Sequence, residues 1–177
     1  MAKKNKVVRI ALIGPESTAK TTLCGQLAEH YSTTSVKEFA REYLNQLSGK
    51  YTVDDVVAIA KEQLHQEYLA IETANRFIFS DTELILAKVW CEDVFENCPD
   101  WIAENILPHK YDLYLLTYPD IEWVPDPLRE NPHRREFLFD WYERELKAIG
   151  ADYFVVRGWG HQRLQNVIDE IDKRFVK

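Results

Sequence analysis

Between residues 14 and 21 the chain reads Gly14-Pro15-Glu16-Ser17-Thr18-Ala19-Lys20-Thr21. This is the spacing of a G-x-x-x-x-G-K-[ST] phosphate loop, with Ala in place of the second Gly. A loop of this kind between a strand and a helix aims successive backbone N–H groups at one spot. It adds the positive end of the helix dipole, and so stabilises a polyphosphate anion. In that chemistry the Lys20 ammonium reaches the β- and γ-phosphates of ATP. The Thr21 hydroxyl reaches the Mg²⁺ that bridges them, and Thr22 continues the helix N-terminus under the phosphates. Ala19 is the one departure. A Cβ there is costly if the backbone needs φ > 0 and tolerable if the residue is already right-handed. Ala is the smallest change from Gly and the rest of the loop is intact, so the right-handed form is the expectation.

Two acids are spaced to work beside this loop. Asp81 closes the apolar run Phe77-Ile78-Phe79-Ser80; at the C-terminal end of a strand next to the phosphate loop, its carboxylate can hold Mg²⁺. Asp81-Thr82-Glu83 also reads as a helix N-terminal signal, which would make Asp81 a cap. Glu38, at the end of a second short strand, can take a proton from a sugar hydroxyl or bind such hydroxyls. Spacing does not choose between Asp81 and Glu38 as base. Arg41, three residues after Glu38, shares its face if a helix begins there, which suits either substrate contact or a structural ion pair. Residues 118–135 hold Pro119, Pro125, Pro127 and Pro132 together with Arg129, Arg134 and Arg135. This is the composition of a stiff lid that brings a cation to a transferring phosphoryl group, with Tyr118 and Trp123 as apolar cover. Trp159 stands between Gly158 and Gly160 just after the last apolar run, a place for contact with adenine or for packing. His65, His109, His133 and His161 show no metal-ligand spacing.

The elements that must position these groups alternate. Val7–Ile13, Ser35–Phe39, Phe77–Asp81, Tyr111–Thr117 and Tyr153–Arg157 read as strands, with helical segments between them. The first of those helices is Lys20–Tyr31. A capping box at Thr52–Asp55 opens a long helix whose apolar face runs through Val53, Val56, Val57, Ala60, Leu64, Tyr68 and Ile71. Near-continuous apolar strands joined by helices imply an α/β fold: a parallel sheet of about five strands covered on both faces, its ligands at the strand C-termini.

A chain of 177 residues suits one domain with no room for two catalytic ones. An apolar fraction of 46% is enough for a sizeable core and excludes a disordered chain. With 22 Lys and Arg against 29 Asp and Glu, the net charge of −7 argues against nucleic acid as a partner. The one basic run, Lys3, Lys4 and Lys6, reads as a solvated N-terminal tail over residues 1–6. No apolar stretch is long enough to cross a membrane, and Val7–Ile13 is interrupted by Arg9, so a cytoplasmic protein is expected. Three cysteines without a CxxC pair indicate neither a disulfide framework nor a zinc site.

Taken together, the loop, Glu38-Phe39-Ala40-Arg41-Glu42-Tyr43-Leu44, Phe79-Ser80-Asp81-Thr82, Tyr111–Thr117 and Asp120-Ile121-Glu122-Trp123-Val124-Pro125-Asp126-Pro127-Leu128-Arg129 resemble the nicotinamide riboside kinase domain of NadR-like proteins. The likeness runs from about Val7 to Phe175. It implies a P-loop kinase fold and ATP-dependent phosphorylation of nicotinamide riboside to the mononucleotide, with Mg²⁺, in NAD salvage. It further implies that Arg129 is the lid arginine at the phosphates, and that Trp123 and Asp126 join Glu38 and Arg41 at the substrate. Multidomain members carry an N-terminal adenylyltransferase domain, and only a short tail precedes Val7 here, so a freestanding kinase is expected. The family has an aromatic residue where this chain has Lys37, and Gly where it has Ala19. The first change leaves open a kinase for another nucleoside or small metabolite, the second an ATP-binding regulator without turnover.

Overall fold

The computed structural model describes residues 6–176; Lys3 and Lys4 of the basic tail lie outside them. Lys6 pairs with Asp112 at 2.9 Å. In chain order the elements are β1 (Val8–Ile13), α1 (Lys20–His30), β2 (Thr34–Val36), α2 (Phe39–Gln46), α3 (Val53–Thr73), β3 (Phe77–Asp81), α4 (Leu84–Phe95), α5 (Asp100–Ile106), β4 (Leu113–Thr117), α6 (Arg135–Ala148), β5 (Tyr153–Val156) and α7 (Gly160–Phe175). The strands form one all-parallel sheet in the order β2-β3-β1-β4-β5. This is the expected α/β P-loop architecture.

Strand alternation sorts the apolar residues to two faces. Ile10 and Leu12 of β1, Phe77 and Phe79 of β3, and Leu113 and Leu115 of β4 pack against α1 and α7. Ala11, Ile13, Tyr114 and Leu116 point the other way, into α3, α4, α5 and α6. Burying each of these larger side chains contributes about 1.5–3 kcal/mol, which is why the central strands read as unbroken apolar runs. The chain leaves β1 toward the α1 face, whereas β3 and β4 lead to the opposite face. That divergence opens a crevice beyond the C-terminal end of β1, where ligands bind in open α/β sheets.

The Thr52–Asp55 capping box forms as expected. The buried stripe of α3 departs from the apolar pattern, because Gln63 and Glu67 are buried while Tyr68 is 51% exposed. Glu67 goes inside because Arg9, Ser80 and Tyr111 all donate hydrogen bonds to its carboxylate. The second strand also ends earlier than its sequence suggests, at Val36, so Glu38 stands at the N-cap position of α2 rather than finishing a strand. Among the described residues no helix is long and apolar enough to cross a membrane.

Candidate active site

β1 delivers the phosphate loop with its first glycine pressed against β4. Gly14 has φ +145°, and a Cβ there would lie 2.3 Å from Thr117 Oγ1 and 2.7 Å from the Thr117 carbonyl oxygen. Both the backbone angle and the close approach exclude any other residue. The Thr18 and Thr117 hydroxyls lie 2.7 Å apart, bracing the loop from beneath.

Ala19 overturns the right-handed expectation. Its φ of 61° and ψ of 28° are left-handed, and it stands at the N-cap of α1. The loop must reverse there to present its N–H groups, so its Cβ carries roughly 1–2 kcal/mol of strain. Arg163 of α7, 3% exposed, holds the preceding peptide. It donates to the Thr18 carbonyl at 3.1 Å, and also to the carbonyls of Tyr118 and Gly158 and the carboxylate of Asp120. A helical arginine gave no signal in the sequence, since its partners come from three separate loops.

Lys20 donates to the Pro15 carbonyl at 2.8 Å. Burial lowers its pKa, opposed by the nearby carboxylates of Glu38, Asp81 and Glu16. Asp81 ends β3 in register with Leu12 and is 1% exposed. Its Oδ2 accepts from the Thr21 hydroxyl at 2.5 Å, while Oδ1 is buried without a hydrogen-bond partner. Burial raises its carboxyl pKa, countered by Lys20 and by the Thr21 hydrogen bond. The capping role considered for Asp81 belongs to Glu83, which accepts from the N–H groups of Ile85 and Leu86. Glu38 is half-buried, and its carboxylate makes no cap hydrogen bond.

Residues 118–134 form an irregular segment laid over the loop, and Arg135 opens α6. The Glu16 carboxylate accepts from the N–H groups of Glu130 and Asn131, and the Ser17 hydroxyl from Val124 N–H. The three arginines separate. Arg129 lines the cleft, close enough to Lys20 to depress its pKa, and donates to the Val124 carbonyl. Arg134 is spent on Asp93 of α4, at 2.6 Å. Arg135 donates to the Ser17 and Ile121 carbonyls beneath the lid, with Trp123 against its guanidinium. Arg41 pairs with Asp126 of the lid at 3.0 Å rather than with Glu38. Trp123 is not among the cleft-lining residues. Trp159 is 79% exposed, which removes the packing alternative for it.

Under the lid lies a cleft of about 350 Å³ that joins the phosphate loop to Glu38 and Arg41. Its far wall contains Tyr51, Trp90, Tyr142 and Asp93, none of which the sequence singled out. Lys37 is exposed and does not line it. Tyr51 and Trp90 meet edge to face, with Trp90 Nε1 donating to the Tyr51 hydroxyl at 3.1 Å. The described residues hold no cluster of three His, Cys, Asp or Glu side chains suited to a metal ion.

A family model described as an AAA domain matches residues 9–163. The trifunctional NAD biosynthesis/regulator protein NadR of Escherichia coli (strain K12) is 28% identical over 139 residues, 72% of this chain and 33% of that protein. The chain thus spans about a third of the length of this curated relative. Among solved structures, a NadR protein in complex with NR has a TM-score of 0.76 at 24% identity, covering 94% of this chain and 51% of that one. A NadR protein in complex with NAD and AMP-PNP has a TM-score of 0.77 at 22% identity, over 94% and 49%. The family match begins in the phosphate-loop strand and reaches the buried Arg163, and the chain belongs to this AAA-domain family, with NadR among its relatives in sequence and fold.

Proposed function

We propose that the protein is an ATP-dependent kinase that phosphorylates nicotinamide riboside to the mononucleotide. The observation that carries this reading is the pairing of Thr21 with Asp81 at the phosphate loop, across one cleft from Glu38. The relatives' names and the NR and AMP-PNP complexes of NadR proteins agree with it. The backbone N–H groups of residues 16–21 receive the phosphates, and Lys20 neutralises charge on the β- and γ-groups. The orphaned Asp81 Oδ1 beside Thr21 suits a divalent cation. Mg²⁺ held by these two residues would offset the charge that develops during transfer. The Tyr51 and Trp90 rings supply the aromatic wall that a cationic aromatic ring needs, while Asp93 is already paired with Arg134; Lys37 does not have to stack. Asp81 is committed to Thr21, so Glu38 accepts the proton of the acceptor hydroxyl. Arg129 carries a second cation to the phosphates when the lid is down. Trp159, exposed beyond β5, offers a face to adenine.

The left-handed Ala19 favours a second reading, a nucleotide-binding regulator without turnover. Purified protein with MgATP separates the two when ADP release is followed with nicotinamide riboside, with the common nucleosides, and with no acceptor. Release only with the riboside is expected. ATP binding without release under any condition would establish the regulator instead, and release with another nucleoside would reassign the acceptor.

A further inference from the structure

Gln63 of α3 sits between the two acids of the cleft, touching the backbone of both neighbourhoods. Its amide nitrogen donates to the Asp81 carbonyl at 3.2 Å, and its amide oxygen accepts from Phe39 N–H at 2.9 Å. The side chain is 7% exposed on a helix face whose other buried residues are apolar except for Glu67. Burying a primary amide in such a place is costly unless both ends are bonded, and here both are.

The sheet explains why an amide is needed. Pairing between β2 and β3 stops at Val36 and Ser80. One residue further, the Asp81 carbonyl has no strand partner on that side, while the chain after β2 turns away into α2. Phe39 N–H is the first N–H of α2, one of the donors a helix leaves unsatisfied. An N-cap side chain reaches the second and third helical N–H groups rather than the first, and Glu38 makes no cap hydrogen bond at all. The Gln63 amide replaces the missing piece of ladder. Its donor and acceptor ends copy a peptide group inserted between two separating strands.

Resting on the kinase reading above, we propose that Gln63 is a positioning residue that fixes the separation of Glu38 and Asp81. By fixing the first N–H of α2 from another helix, it sets the backbone from which the Glu38 carboxylate faces the acceptor hydroxyl. By holding the Asp81 carbonyl, it sets the strand end from which the Asp81 side chain reaches Thr21. Misplacing reacting groups by about 1 Å costs on the order of 100-fold in rate, so loss of the amide should be visible in kcat.

The test compares Gln63→Met, which keeps volume and loses both hydrogen bonds, with Gln63→Glu, which keeps the acceptor for Phe39 N–H and loses the donor to Asp81. For Gln63→Met, kcat with the riboside should fall roughly 10- to 100-fold, and the Mg²⁺ dependence of ATP affinity should weaken as well, because the Asp81 end is lost with the Phe39 end. For Gln63→Glu, the dependence of ATP affinity on Mg²⁺, titrated calorimetrically with and without the ion, should weaken relative to wild type, since only the Asp81 end is disturbed. A melting temperature lowered with kcat intact in both variants would make Gln63 merely structural. If Gln63→Met does not fold, Gln63→Glu decides by the same titration. Wild type that binds MgATP without releasing ADP would defeat the kinase reading. Unchanged Mg²⁺ dependence in Gln63→Glu would then separately overturn the role at Asp81.

Discussion

The Thr21 hydroxyl donates to Asp81 Oδ2 at 2.5 Å, joining the first turn of α1 to the end of β3, and the other oxygen of that carboxylate is buried without a hydrogen-bond partner in the protein. A carboxylate in this position is held by one hydroxyl and one nearby lysine, and its own burial works against its charge. Such an arrangement is costly for folding and suited to a ligand cation.

Asp81→Asn keeps the shape and an oxygen for Thr21 but removes the charge. Activity should fall by about 100-fold or more, and the melting temperature should stay level or rise, because the cap of α4 belongs to Glu83. A melting temperature that falls while turnover is kept would return Asp81 to a structural role.

Lys20→Ala removes the cation beneath the phosphates. We expect kcat to drop on the order of 100- to 1,000-fold, with little loss of stability, because burial already opposes the ammonium. Single-turnover measurements at saturating ATP read this directly. Turnover near the wild-type value would sink the phosphate-loop reading.

Ala19→Gly relieves a left-handed Cβ worth roughly 1–2 kcal/mol and returns about 0.4–1 kcal/mol of unfolded-chain entropy. The net gain is up to about 1.5 kcal/mol, or a few degrees in Tm. ATP should bind more tightly as well. A lower melting temperature for the Gly variant would show that the loop is not strained at this position.

Burial lifts the Glu83 carboxyl to about 7, against an ordinary glutamate at 4.5. Between those values the folded protein holds a proton that the unfolded chain has released. The free energy of unfolding therefore falls as pH rises from 4.5 to 7 and stays reduced above it. Glu83→Gln removes this titration and keeps an acceptor oxygen for one of the two N–H groups, which bond to different carboxylate oxygens. Denaturant unfolding should find that wild type loses on the order of 1–3 kcal/mol between pH 4.5 and pH 8 that the variant does not lose. Equal pH slopes for the two proteins would contradict the assignment.

Much of this protein is legible without coordinates, because the signals are local. Strand order along the chain, the loop between β1 and α1, the capping box at Thr52–Asp55 and the place of Asp81 at a strand end follow from side-chain period, turn residues and motif spacing. Apolar burial acts on each segment separately, so Phe77–Asp81 reads as a buried strand in isolation.

What only tertiary structure decided depends on groups far apart in sequence. The sign of φ at Ala19 is set by a loop that must reverse between β1 and α1, with Arg163, 144 residues later, holding the peptide before it. The division of labour among Arg129, Arg134 and Arg135 follows from which acids and carbonyls meet them, and Asp93 and Ser17 come from other elements. Gln63, Glu67, Tyr51 and Trp90 carry no motif. A polar side chain inside a helix face becomes meaningful only when its hydrogen-bond partners arrive from other strands, because the cost of burying it is cancelled by those partners alone.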